Sequence, residues 1–277
     1  MKILTIVSLK QVMSTAKERL RGQRTAAICL MVFLIILGGV YNVAAGVIGN
    51  TGNTQSLWGM LFLLLIALAI LWLQVHLNIF FIYIYRNQDI SLYAYINSLG
   101  KNILRKTFAL LIYCFLLFLS CIPAVVVVEV ATSSLLNTPE SKALWWLLYI
   151  PAMAFLILKS NSYSFTHYLL IEFTNIKAIS AIKLSVKLTK GYRIMIFLKG
   201  LWFNIKSILI LLPALIALCL GHLGIVLGMF LIIIATFIII FSFVPHLMAT
   251  SAGYYTEILY ASLDNGIISY EELGEYE

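Results

Sequence analysis

The chain has 277 residues, 62% of them apolar and 11% charged, against a charged share of roughly 25% in soluble domains. So little polar surface cannot cover a soluble fold of this size, and the mean hydropathy of +1.00 points to the bilayer as solvent. The net charge of +8 is not a nucleic-acid footprint, because the basic residues stand beside apolar runs, where they set topology and meet anionic headgroups.

Residues 1–24 predict an amphipathic surface helix. Leu9, Val12, Met13, Ala16 and Leu20 recur at helical spacing, Lys10, Lys17, Glu18 and Arg21 lie off that stripe, and Gly22 is a natural stop. Six transmembrane helices follow, at about 25–48, 57–85, 107–128, 143–163, 201–220 and 225–244; five are near the roughly 20 residues that cross a hydrocarbon core, and the second, too long for a bilayer alone, either tilts or projects into the cytoplasm. The stretch Gly49 to Gln55 is an uncharged turn, and the stretch Arg86 to Lys106 carries an apolar stripe of Leu92, Ile96, Leu99 and Ile103. The segment Glu129 to Lys142 falls on the outer side. The end of the fourth span is not fixed, since Lys159 to Ser164 is polar while Phe165 to Phe173 is apolar again.

A second basic helix is predicted over Ile176 to Lys190, with Lys183, Lys187 and Lys190 as a narrow stripe and Gly191 as its end. Its wide apolar arc suggests a helix lying on the inner membrane surface. Gly221 to Gly224 reads as the turn between the last two spans. Pro245 opens a cytoplasmic C-terminal segment, 246–277, whose tail is acidic. All but Lys142 of the 19 Lys and Arg residues fall on one side, so the positive-inside rule places both termini in the cytoplasm. The expected architecture is all-α: six spans in one cell-membrane domain, with amphipathic interface helices on the cytoplasmic side. A helix, a Gly with basic neighbours and a hairpin recur near Gly22, Gly100 and Gly191. Positive-inside flanks alone also produce that pattern.

The four cysteines lie in apolar runs without ligand spacing, and no cleavable signal peptide or lipidation motif is read. No HExxH, GxSxG or P-loop occurs, so no catalytic residue, metal site or cofactor is assigned. The polar residues inside spans are the candidates, because burying an ionisable group costs at least ~2.5–3.5 kcal/mol. They are Gln74, His76 and Asn78 in span 2, Glu172 near the inner end of span 4, and Lys199, Asn204 and Lys206 in span 5. Interhelical hydrogen bonding and snorkelling are the plainer accounts of these residues; a cationic cavity at Lys199 and Lys206 is the sharper one. Lys17, Arg19, Arg21, Arg24, Lys183, Lys187, Lys190 and Arg193 are the headgroup or inner-surface candidates.

The stretch AISAIKLSVKLTKGYRIMIFLKGLWF, Ala178 to Phe203, resembles a family of uncharacterised multi-pass integral membrane proteins related to the membrane domain of glycerophosphodiester phosphodiesterases. Ser185, Lys187, Lys190, Gly191 and Phe197 carry the resemblance, with Tyr163 and Tyr168 before them and Pro245, Tyr254 and Tyr255 after. Pro123-Ala124 and Pro245-His246 depart from that family's Pro-Gly and Pro-Tyr. The resemblance implies a fold and membrane residence; the catalytic barrel is absent, so no catalytic residue is carried over. Three functions compete. The first is a non-enzymatic component binding anionic membrane lipids or a membrane-protein partner at the inner leaflet, as in envelope stress or peptide resistance. The others are a transporter or its membrane subunit, and a lipid-modifying enzyme.

Overall fold

The computed structural model describes residues 9–50, 57–87, 157–173, 175–219 and 221–274, with isolated residues between 111 and 155. The described residues are helical, with no strand among them. The helices are α1 (Leu9–Asn50), α2 (Leu57–Tyr85), α3 (Thr166–Glu172), α4 (Ala178–Thr189), α5 (Arg193–Leu218), α6 (Gly221–Ile238) and α7 (Val244–Asp264). A π-helical turn, Ile239–Phe243, joins α6 to α7, and a 3-10 turn covers Glu271–Leu273. Three stretches are long and apolar enough to cross a membrane: Lys10–Val47, Arg193–Leu218 and Gly224–Asp264. Shorter apolar helices run over Leu61–Ile70 and His76–Tyr85. The predicted third span, the outer segment and most of the fourth span and of the Arg86 to Lys106 stretch lie outside the described residues.

Of three punctuation positions, two act as expected and one does not. Gly22 stands beside a break, as expected: Gln23 leaves helical geometry (φ −122°, ψ 17°), so the N-terminal helix and the helix that runs on to Asn50 meet at a kink there. Pro245 lies at the start of the last long helix, Val244–Asp264, also as expected. A proline has no N–H for the carbonyl four residues before it and crowds that carbonyl, and the wider π-helical turn just ahead of α7 relieves the crowding without stopping the helix. Finally, Gly221 to Gly224 is not the turn but the start of α6; the preceding turn lies at Cys219.

The chain divides into two compact units, Met1–Lys101 with Gly200–Ala261, and Asn102–Lys199 with Ser262–Glu277. In the first unit α1 packs on α2. The predicted N-terminal stripe is buried at Val12, Ala16 and Leu20, so this stripe is covered by protein rather than by headgroups. His246 of α7 lies 3.1 Å from the Met13 carbonyl and ties the same stretch to the C-terminal helix. Phe203 of α5 meets the rings of Phe243 and His246 edge-on at 6.4 and 5.3 Å. The end of α2 closes on α7 where Gly253 lies flat against Tyr85. A Cβ at Gly253 would stand 2.7 Å from Tyr85 Cδ2, inside the ring's own volume. On the outward faces large apolar side chains remain exposed, among them Val43, Ile208, Val226, Phe230 and Phe237. A soluble protein does not leave so many uncovered, whereas lipid tails accept them.

In the second unit α3 and α4 pack together. The buried positions of α4, Ala181, Leu184, Ser185, Leu188 and Thr189, recur every three to four residues and form its inner face. Lys183, Lys187 and Lys190 lie exposed on the other side. Most of the apolar arc read as membrane-facing is therefore buried in protein, while Ile179 and the lysine edge stay exposed. Gly191 at φ +96° ends the helix in the left-handed region that favours glycine.

The α2–α7 closure makes a stability prediction. Gly253→Ala forces the Tyr85 ring aside and should cost about 1–3 kcal/mol, the usual range for overpacking. Thermal unfolding in mild detergent should show the loss, and the double variant Gly253→Ala with Tyr85→Ala should recover part of it. Equal stability of Gly253→Ala and wild type would contradict the packing.

Candidate functional site

Two polar clusters stand out, one in each unit. In the first, α2 ends in Tyr85-Arg86-Asn87. Asn87 takes φ +56°, a conformation asparagine tolerates at a helix C-terminus. The Tyr85 phenol donates to Glu257 Oε1 of α7 at 2.9 Å, and the Arg86 guanidinium sits 5.3 Å above the Tyr260 ring. Tyr254, Tyr255 and Thr256 of α7 are buried beside this contact, with Thr256 Oγ1 donating to the Ala252 carbonyl. Tyr254 and Tyr255 are the aromatic pair singled out from the sequence; they are core residues of α7.

The second cluster organises the polar stretch before α3. Residues 157–162 are helical, 163–165 turn, and α3 follows, which fixes the end that the sequence leaves open. Ser185 of α4 holds the turn from both sides: its hydroxyl donates to the Ser162 carbonyl at 3.0 Å and accepts the Phe165 N–H at 3.2 Å. Thr189, one turn further along α4, has its hydroxyl 2.8 Å from the Ser185 carbonyl and 3.2 Å from that of Ser162. These groups are buried, and their bonds satisfy backbone atoms that helix ends otherwise leave unpaired. Nearby, Lys159 donates to the Tyr163 hydroxyl at 3.2 Å. The His167 and Tyr168 rings of α3 lie 4.0 Å apart, tilted by 39°; burial first, then the Lys199 charge, lowers the His167 pKa to about 4.

On the exposed edge of α4, Lys187 Nζ pairs with Glu272 at 2.8 and 2.9 Å. The acidic tail is thus docked. Asn175 Nδ2 also donates to the Gly274 carbonyl at 3.4 Å, Gly274 turns back at φ +76°, and Ile268 and Leu273 are buried. The signal in the sequence was this apolar pair inside an otherwise acidic tail, ISYEEL, which the charge reading passes over.

The remaining candidates scatter. Lys17, Arg19, Arg21 and Arg24 are all exposed on the first turns of α1, and Arg193 is half-buried at the start of α5. In α2, His76 and Asn78 are buried while Gln74 is exposed, so the inward face of that helix is set by His76 rather than by Gln74. Lys199 is buried, Glu172 half-buried and Asn204 exposed. Lys206 lies 4.6 Å over the Trp202 ring, a cation–π contact. Among the described residues no three His, Cys, Asp or Glu side chains gather to hold a metal ion.

Long apolar helices with exposed apolar faces define the class: a helical protein built to meet a membrane. The chain belongs to the family described as "Protein of unknown function (DUF975)", whose model matches residues 6–262. No curated protein and no solved structure matches it.

The docked tail separates two contributions. Leu273→Ala removes a buried side chain and should cost about 2 kcal/mol or more locally, whereas Glu272→Gln removes an exposed pair worth ~0–1 kcal/mol. Hydrogen exchange over residues 268–274 should accelerate strongly in the first variant and slightly in the second. The Lys187 hydrogen bond holds the Glu272 pKa below its ordinary value of 4.5. The pair's stabilisation is therefore complete above pH 4.5 and lost as pH falls through the lower, folded value. Exchange of the tail should rise only under those acidic conditions; a rise near neutrality would contradict it.

Proposed function

We propose that this protein is a non-enzymatic, multi-pass component of the cell membrane that binds anionic lipid, or a partner held at anionic lipid, on its cytoplasmic face. One observation carries the reading. Four cations, Lys17, Arg19, Arg21 and Arg24, stand exposed around the kink at Gln23, and the helix beyond it is an apolar rod with exposed Phe33, Ile36, Val40 and Val43. A basic collar followed directly by an apolar span is the arrangement that inner-leaflet headgroups attract, at about 1 kcal/mol per cation near the surface. The exposed lysines of α4 add a second basic edge.

In this reading the membrane domain has six spans, with the three apolar stretches among them, and both termini face the cytoplasm. The relation to the membrane domain of glycerophosphodiester phosphodiesterases remains part of the proposal, supported by the Ala178 to Phe203 stretch. A transporter role is the second reading. It draws on the buried imidazole of His76 and on the π-helical turn, a distortion frequent at functional sites.

Cysteine labelling with an impermeant reagent tests the topology. Cysteines placed at Lys187 and Glu271 should be protected in intact cells, and one placed at Thr54 should react. Lipid binding is tested on vesicles. Charge reversal at Lys183 and Lys190, which leaves the Lys187–Glu272 pair intact, combined with Arg21→Glu, should weaken retention of phosphatidylglycerol relative to phosphatidylcholine by about tenfold or more at low salt, with three cations involved. Equal retention of the two lipids by the wild-type protein would count against lipid selectivity.

A further inference from the structure

Within the first compact unit a groove of about 320 Å³ opens between α1 and the α6–π-turn segment. Its wall is almost wholly aliphatic and aromatic: Val32 and Ile36 come from α1, Ile233 and Phe237 from α6, and Phe241 from the π-helical turn. Thr236 supplies the only side-chain oxygen of the lining. Phe237 and Phe241 stack flat, 5.6 Å apart and 3° from parallel, and make that wall smooth. The volume falls at the low end of the roughly 300–1,000 Å³ typical of small-molecule pockets, and its lining gives a polar molecule almost nothing to bond.

The Phe241 backbone is different. Pro245 has no N–H to offer the Phe241 carbonyl, and Arg24 Nη2 donates to that carbonyl at 3.4 Å. This holds an exposed guanidinium against the backbone of Phe241, a residue that lines the groove. A guanidinium has five N–H donors, so most remain available to an anion. Arg24 to Ile36 is twelve residues of α1, about 18 Å of helix, close to the ~15 Å of hydrocarbon in one leaflet. Arg24 therefore stands where a headgroup lies, and the groove runs where one acyl chain lies.

We infer that this groove is a site for a single phospholipid with an anionic headgroup: one acyl chain against Ile36, Ile233 and the Phe237–Phe241 wall, and the phosphate on Arg24. Any lipid tail suits the groove, and the guanidinium selects the headgroup. The inference rests on the lipid-binding reading above and gives it a location.

The test uses full-length protein in mild detergent, loaded with phosphatidylglycerol or phosphatidylcholine and weighed by native mass spectrometry. The wild type should retain one phosphatidylglycerol in preference to phosphatidylcholine. Arg24→Gln should reduce that preference about fivefold, the effect of one cation near an anionic group, while still retaining a lipid; Arg24→Lys should keep most of it. Ile233→Trp, which fills the groove from α6, should reduce retention of both lipids, with thermal unfolding as the check that each variant is folded. If wild type prefers phosphatidylglycerol and folded Arg24→Gln and Ile233→Trp behave as wild type, the site is elsewhere: the inference falls and the lipid-binding reading stands. If wild type shows no preference between the two lipids, both fall.

Discussion

A backbone N–H or carbonyl left without a partner in hydrocarbon costs several kcal/mol, so a chain that crosses a bilayer keeps its helix going wherever it can. The two least regular points among the described residues each keep helix on both sides. At Gln23 the helix bends and continues. At Pro245 it widens by a π-helical turn, and a side chain from α1, Arg24, reaches the carbonyl that proline cannot serve. Both departures lie on one structural line: the bend brings the basic start of α1 to the point where α6 gives way to α7.

The same demand for satisfied backbone groups shapes the second unit by other means. There the chain does turn, over residues 163–165, and the turn is possible because Ser185 supplies an acceptor and a donor in one hydroxyl. Thr189 adds a second hydroxyl on the same face of α4. A hydroxyl pair at i and i+4 on a buried helix face is a poor choice for packing alone. Its use here is to replace the bonds that a continuous helix would have made.

What the sequence made legible follows from how local each signal is. The bounds of α2, Leu57–Tyr85, coincide with the predicted span because one unbroken apolar run specifies them. The end of α4 at Gly191 is likewise local, set by a single residue's backbone freedom. The one over-reading has a local cause as well: Gly221 is treated as part of a turn, although a glycine only weakens a helix that its neighbours can hold together. Ser185 was singled out by resemblance, but its partner Ser162 lies 23 residues away, a distance no periodicity reports. The amphipathic faces of α1 and α4 were found correctly and given the wrong cover, because a sequence shows which face is apolar and not whether protein or lipid meets it. The candidate polar residues of the spans were legible by type alone; their scatter across helices was not.

The docked tail bears on how the second unit is made. Lys187 and Glu272 are separated by 85 residues, and Asn175 from Gly274 by 99. At synthesis rates of 5–20 residues per second, roughly 4–17 s pass between the appearance of Lys187 and that of its carboxylate. Throughout that interval α4 is present while Ile268 and Leu273, which share its unit, are still untranslated or in the ribosome. The second unit is therefore completed late, by a segment that follows the whole of α5, α6 and α7, and chain order and compactness run against each other in its assembly.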